Sequence, residues 1–310
     1  MHVVSALAPV FMLVAVGCLL LRWKFADDAF FRVAAKFAYW IGLPSLLFKN
    51  IAEASLSLSD AWRVFAVMAA ATILTALASA PVARALGLSA TRGRTFIHTS
   101  FHCNTAFVGL PVMLYSLSAY PDSGKLIEMA SMALAPMIPV FNIMSVIVMR
   151  GAVDTAEKGL LSIILKKVVT NPQVLSCLAG LAVSFCGLRL PLALSRSVGS
   201  LGAMALPLAL MSIGAGLNLR NVREGLGAAC VAAFFNVVLL PLIGFVLCRF
   251  GGLTHGETLV SLIFLTCPTA SSAYIYARQM KGDPAFAGNV ILISTLMSAP
   301  ALWAVLYFGL

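Results

Sequence analysis

Charge is what this sequence has least of. Only 10% of its 310 residues are charged, 11 acids against 21 lysines and arginines, while 61% are hydrophobic. Soluble globular domains carry about a quarter charged residues, so a soluble fold is excluded. The mean hydropathy of +0.99 points to an integral membrane protein. The acids are also missing from one place. Asp27, Asp28, Glu53, Asp60, Asp122, Glu128, Asp154, Glu157, Glu224, Glu257 and Asp283 all fall in loops or terminal turns of the apolar runs. Intramembrane carboxylates are the usual carriers of coupled protons and a common part of sodium sites, so coupling to either ion is not expected. None of the seven cysteines forms a CxxC pair. They are read as small apolar packing residues, with no disulfide framework, no metal site and no cofactor expected. Paired carboxylates or a Ser/His/Asp set at one depth are absent as well, so an enzyme is not expected.

What remains is apolar. Runs of about 20 residues occur near 3–21, 29–51, 61–84, 94–118, 126–149, 171–187, 197–217, 225–248, 257–278 and 285–309. The first has no basic segment before it and no small-x-small cleavage site, and is expected to be a retained span. Ten spans predict an all-α membrane protein. With the N-terminus outside, the outer side holds Lys49, Arg63, Lys125, Arg189, Arg196 and Arg249, and the other basic residues lie at inner loops and helix ends. The positive-inside rule then places both termini outside a plasma (inner) membrane. The basic excess reports topology and not a nucleic-acid partner.

The chain echoes itself. "GLPSLLF" (42–48) returns as "ALPLALM" (205–211), and "CNTA" (103–106) as "CPTA" (267–270), at nearly the same offset. The expected units are a first repeat over 1–149, an inner linker with a short amphipathic segment over 150–170, and a second repeat over 171–310. Five spans per repeat would invert the second copy in the membrane, which is a transporter architecture. At 1.5 Å per residue, Asn104 and Pro268 each lie about 15 Å into a hydrocarbon core about 30 Å thick.

Both equivalents sit beside helix breakers. Proline removes a donor and clashes with the carbonyl four residues back, and glycine loosens the same turn, so the fourth span is predicted to unwind at Gly109-Leu110-Pro111. Freed backbone groups in hydrocarbon need protein or a water-filled cavity. Two broken helices meeting at mid-membrane supply that, and their half-helix N-termini favour an anion. The candidate substrate-binding residues are Asn104, Thr105, Gly109, Pro111, Pro268, Thr269, Ser271, Ser272 and Asn142. Asn104 leads because its carboxamide can donate to a carboxylate. The competing reading of each is an ordinary hydrogen bond between helices. His98 and His102, spaced i, i+4 on one helix face, are candidates for proton handling, with polar packing as the alternative.

These segments resemble the auxin efflux carrier family, which includes the PIN-type plant auxin carriers and bacterial proteins named malonate or dicarboxylate transporters. "NTAFVGLP" (104–111) is similar to its N-T-x-x-x-G-x-P signature. "RGA" (150–152), "NPQVLSCLAGL" (171–181), "LPLALMSIGAGLNLR" (206–220) and "CPTASSAYIYARQMKGDP" (267–284) resemble later family segments. The resemblance implies a scaffold of spans 1, 2, 6 and 7 and a transport unit of spans 3–5 and 8–10. It also implies a substrate site where spans 4 and 9 cross, elevator-like movement and a homodimer through the scaffold. The sequence departs from many plant members in having only "RGAVDTAEKG" between the halves, and Thr269, Ser271 and Ser272 where a second asparagine would stand. The expected function is elevator-type secondary transport of a small organic anion, malonate-like or auxin-like. A sodium- or proton-coupled bile-acid-type symporter is the alternative, and a non-transporting membrane receptor a third reading.

Overall fold

The computed structural model describes residues 2–54, 58–117, 123–150, 165, 169–188, 190–216 and 225–309. The linker 150–170 falls almost wholly outside the described residues. Helices account for nearly all of the described chain: α1 (His2–Arg22), α2 (Asp28–Phe37), α3 (Leu43–Ala52), α4 (Leu58–Ala85), α5 (Ala90–Phe101), α6 (Leu110–Leu117) and α7 (Ser123–Met149). They continue with α8 (Pro172–Phe185), α9 (Leu192–Gly216), α10 (Leu226–Phe234), α11 (Leu240–Phe250), α12 (His255–Leu265), α13 (Ser272–Gln279) and α14 (Pro284–Gly309).

Among the described residues, five stretches are long and apolar enough to cross a membrane: Ala61–Ala85, Ser123–Met149, Leu192–Gly216, Leu226–Phe250 and Pro284–Phe308. Shorter apolar helical stretches include Leu7–Arg22, Thr105–Leu117, Pro172–Phe185 and His255–Leu265.

Helix starts follow local chemistry. Asp27 accepts from Phe30 N–H at 2.8 Å, and Asn171 accepts from Gln173 N–H at 2.9 Å with Pro172 in the first turn. Inside α4, Thr72 and Thr75 donate to carbonyls four residues back, which satisfies buried hydroxyls without a partner helix.

Leu-Pro pairs are handled in an unforeseen way. Short π-helical turns, Ala38–Gly42, Thr105–Gly109 and Phe235–Leu239, each end two residues before Pro44, Pro111 and Pro241. Proline leaves the carbonyl four residues back without its donor. Widening the turn before it absorbs the register change without ending the helix. The predicted unwinding at Gly109-Leu110-Pro111 is therefore replaced by a π turn, and the chain leaves helical geometry earlier, at His102–Asn104.

Two compact units emerge. The first contains Met1–Trp62, Ala106–Pro139 and Val168–Leu217. Its helices touch where side chains are smallest. A Cβ on Gly17 of α1 would collide with the Met211 carbonyl of α9, and one on Gly214 of α9 with the Val14 carbonyl of α1. Gly202 of α9 packs on Leu46 of α3, and Gly180 of α8 on Phe48 and Ile51. This is the close backbone approach that small residues permit between membrane helices.

The second unit contains Arg63–Thr105, Val140–Lys167 and Asn218–Leu310. Its core packs Phe96 of α5 and Phe286 of α14 with Ala83, Ala229, Ala232, Ala233 and Val290. An arginine joins three helices at one end. Arg63 of α4 donates to the Gly251 and Gly252 carbonyls that finish α11, and pairs with Glu257 at 3.2 Å. Glu257 in turn accepts from Thr254 N–H at 2.6 Å, closing a capping box at the start of α12. Replacing Glu257, which is buried, by alanine removes the box and leaves the arginine without its carboxylate. The expected cost is about 2 kcal/mol, read as a melting midpoint roughly 5 °C lower. Glu257→Gln, which can still close the box, should lose less.

Candidate functional site

The second unit brings two non-helical segments together. α5 ends at Phe101, and the chain is non-helical over His102–Asn104, where Cys103 N–H turns back to the Phe101 carbonyl at 3.1 Å. The chain after α12 is likewise non-helical at Pro268–Ala270. Among the described residues, the antiparallel bridge between Cys103 and Thr269 is the only extended pairing. Asn104 N–H donates to the Pro268 carbonyl and Ala270 N–H to the His102 carbonyl, both at 2.8 Å. Each segment thus satisfies backbone groups that the other's departure from helix exposes.

Side chains complete the repair. Thr269 Oγ1 donates to the Thr99 carbonyl at 2.9 Å, taking up an acceptor at the end of α5, while Ser294 Oγ of α14 accepts from Thr269 N–H at 3.0 Å. Asn236, in the π turn after α10, donates from Nδ2 to Cys103 Sγ at 3.5 Å. Its Oδ1 is buried without a partner among the described residues.

The sequence-derived candidates divide accordingly. Asn104, Pro268 and Thr269 meet at the bridge, and Asn104 and Thr105 are only 5% and 4% exposed. Ser271 and Ser272 stand half-buried at the start of α13, where Ser271 makes no side-chain cap. The first N–H groups of α13 therefore begin a few residues from the bridge. Gly109 and Pro111 fall in the first unit, because the chain passes between units at Thr105–Ala106. Thr269 differs from the expectation in one respect: its hydroxyl is engaged by the backbone of α5.

Asn142 belongs to another constellation. Its Oδ1 accepts from the Tyr276 hydroxyl of α13 at 2.7 Å, and Nδ2 is buried without a partner among the described residues. Beside it lie both histidines. His98 Nε2 is 2.8 Å from Ser145 Oγ and 2.9 Å from His102 Nδ1, and Ser145 Oγ is 3.2 Å from His102 Nδ1. The His102 ring stacks on Phe141 (centroids 4.9 Å apart, 12° between planes), and His98 meets Tyr276 edge-on at 5.3 Å. His98 is fully buried and His102 7% exposed.

Sequence reasoning paired the histidines by spacing but missed Ser145 and Tyr276. Ser145 follows Asn142 by three residues on one face of α7, and two buried polar residues at that spacing in an apolar helix were the available signal. Among the described residues, no group of three or more His, Cys, Asp or Glu could hold a metal ion.

The membrane transport protein family model matches residues 2–306. A Rhizobium meliloti (strain 1021) protein named "Putative malonate transporter" is 28% identical over 145 residues, 46% of this chain. That match takes in 45% of the rhizobial protein, so the chain spans less than half the length of that relative. An "Uncharacterized transporter" of Methanothermobacter thermautotrophicus (strain Delta H) is 25% identical over 279 residues, covering 86% of this chain and 85% of the relative. Taken with an apolar helical chain that carries the "NTAFVGLP" signature at its backbone bridge, a family match over nearly every residue places this chain, a multi-pass membrane protein, in the membrane transport protein family, the auxin efflux carriers.

Proposed function

We propose that the chain is a secondary transporter of a small organic anion, with a malonate-like dicarboxylate as leading substrate and an auxin-like aromatic carboxylate as second. The bridge between His102–Asn104 and Pro268–Ala270 carries this reading. Irregular backbone at membrane depth is tolerated where it is buried in protein or lines a cavity. Here it sets the Asn104 carboxamide close in sequence to one helical restart and the α13 start close to Pro268. Helix N-termini and a carboxamide donor together suit a carboxylate. The name of the rhizobial relative favours malonate among such anions.

The proposal takes the segments 94–118 and 257–278 as broken spans crossing at mid-membrane, within ten spans arranged as two inverted repeats. Asn104 and Pro268, the positions matched by the "CNTA" and "CPTA" echo, are themselves hydrogen-bonded. Such a contact is expected where a two-fold axis in the membrane plane passes between inverted copies. Elevator-like movement of spans 3–5 and 8–10 against a dimeric scaffold of spans 1, 2, 6 and 7, and termini outside the plasma membrane, belong to the same proposal. Substrate-binding roles go to Asn104, Thr105, Gly109, Pro111, Pro268, Thr269, Ser271 and Ser272.

Labelled malonate and labelled auxin supplied to proteoliposomes test it. Saturable uptake well above empty liposomes, unchanged when sodium is replaced by potassium, is the expected outcome. Strict dependence on sodium would favour the symporter alternative. Binding without accumulation would favour a receptor.

A further inference from the structure

We propose that Arg94 receives the transported anion at the end of the second unit where α5 begins, before the anion reaches Asn104. This rests on the anion-transport reading above.

Arg94 is a cation that the fold leaves without a task. It stands half-buried in the second turn of α5. Its Nε is shut off from solvent with no acceptor among the described residues, and the ion pairs among those residues use Lys49, Arg63 and Arg92 instead. Arg92 shows the contrast. Two residues earlier on the same helix, it donates from Nε to Asp283 Oδ2 at 2.8 Å. The other oxygen of Asp283 accepts from Phe286 N–H at 2.9 Å, so both are already engaged. The first turn of α5 holds no acid. A helix start carries partial positive charge, which favours anions and opposes a cation, and Arg92 adds a like charge close by. An arginine held there with a buried, unpaired N–H is costly without an anion.

Its place on the helix follows from its neighbours. His98, one turn later, meets Ser145 of α7 and Tyr276 of α13, and residues four apart share a helix face. Arg94 therefore belongs to the side of α5 that looks toward α7 and α13. Those helices close in beside it: a Cβ on Gly282, just after α13, would collide with Met149 at the end of α7 and with Thr95 of α5. Neither α13 nor the last two turns of α7 carries an acid. Arg94 lies seven residues before the end of α5 at Phe101, about 10 Å along the axis, and helical side chains lean toward the N-terminus, away from Asn104. A three-carbon diacid, whose carboxylates flank one methylene, cannot touch both residues. They are successive stops on one path. The planar guanidinium suits a carboxylate, and a charge at the mouth of a low-dielectric cleft raises the local concentration of anion.

Equilibrium exchange of labelled malonate, at equal concentration on both sides of proteoliposomes, reads the residue whichever way each molecule faces. In R94Q the KM is expected to rise roughly tenfold with the maximal rate kept. R94K should restore part of the loss, because it keeps the charge without the planar fork. Added potassium chloride should raise the parental KM by screening and leave that of R94Q nearly flat. A parental KM in R94Q would overturn the inference while leaving transport standing. So would a KM raised equally in R94Q and R94K with the parental salt dependence, which reports packing and not charge. Should the parent exchange no malonate, the transport reading fails instead, and melting of the purified proteins decides, with sulfate as the probe anion. Sulfate is expected to raise the parental midpoint and not that of R94Q, whose ligand-free midpoint should equal or exceed the parent's. An equal sulfate shift in both proteins would overturn the inference. A lower ligand-free midpoint in R94Q would do the same, because the guanidinium would then be serving the fold.

Discussion

An Asn104→Ala variant is expected to fold like the parent and to lose its response to the transported anion. The bridge that holds the site uses the Asn104 N–H and the Pro268 carbonyl. Truncating the side chain leaves both in place, so the backbone bridge should form in the variant as it does in the parent. Ligand stabilisation should not survive. A hydrogen bond to a charged group is worth about 1.5–3 kcal/mol, which corresponds to roughly 10–100-fold in affinity. At a concentration 100 times the parent dissociation constant, bound anion stabilises the folded state by about 2.7 kcal/mol. With affinity 100-fold weaker the same concentration contributes only about 0.4 kcal/mol. A carboxylate screen by thermal shift, run on both proteins, should therefore give a clear hit on the parent and almost none on the variant. Equal shifts on the two would remove Asn104 from the site.

Replacing Gly214 by leucine should be far more damaging, and for a reason that has nothing to do with ligand. A Cβ at this position would overlap the Val14 carbonyl, and the reciprocal position Gly17 has the same conflict with Met211. Backbone cannot turn aside as a flexible side chain can, so α1 and α9 must separate. Overpacking a core with side-chain neighbours costs about 1–3 kcal/mol. Moving two helices apart also gives up the dispersion contacts along them. Gly214→Leu and Gly17→Leu are each expected to cost the first unit its packing, seen as loss of a monodisperse peak in detergent. Gly216→Leu is the control. A Cβ there meets nothing within 4 Å, and leucine is the better helix former, so that variant should elute and melt like the parent. Monodisperse Gly214→Leu with parental stability would show the helix contact to be misplaced.

The extent to which the site could be read in advance differs by residue. Asn104 stood out as a carboxamide beside a glycine and a proline in an apolar run, and the structure does gather it with Pro268 and Thr269. The break itself was misplaced by several residues. A proline announces a missing donor, but the same loss can be met by unwinding or by a wider turn, and neighbouring helices decide between them. The chain chose the wider turn before Pro44, Pro111 and Pro241, and kept Pro207 inside α9 without one. Asn142 was legible as a buried polar residue. That it serves Tyr276 and neighbours the histidines depends on α7, α13 and α5 meeting, which no local pattern encodes.

By itself the sequence determined that this is a helical membrane protein. Its composition leaves the backbone no solvent but lipid, and lipid requires internal hydrogen bonds. Composition and the capping residues at Asp27, Asn171 and Thr254 also determined where several helices begin. Only the tertiary structure decided which irregular segments satisfy each other. It also decided where backbones touch through glycine, and which polar side chains share one buried cluster. Local rules fix what each residue needs within a few positions of itself. The partner that meets that need, Pro268 for Asn104 or Ser145 for His98, can lie far along the chain, and packing alone brings it within hydrogen-bonding reach.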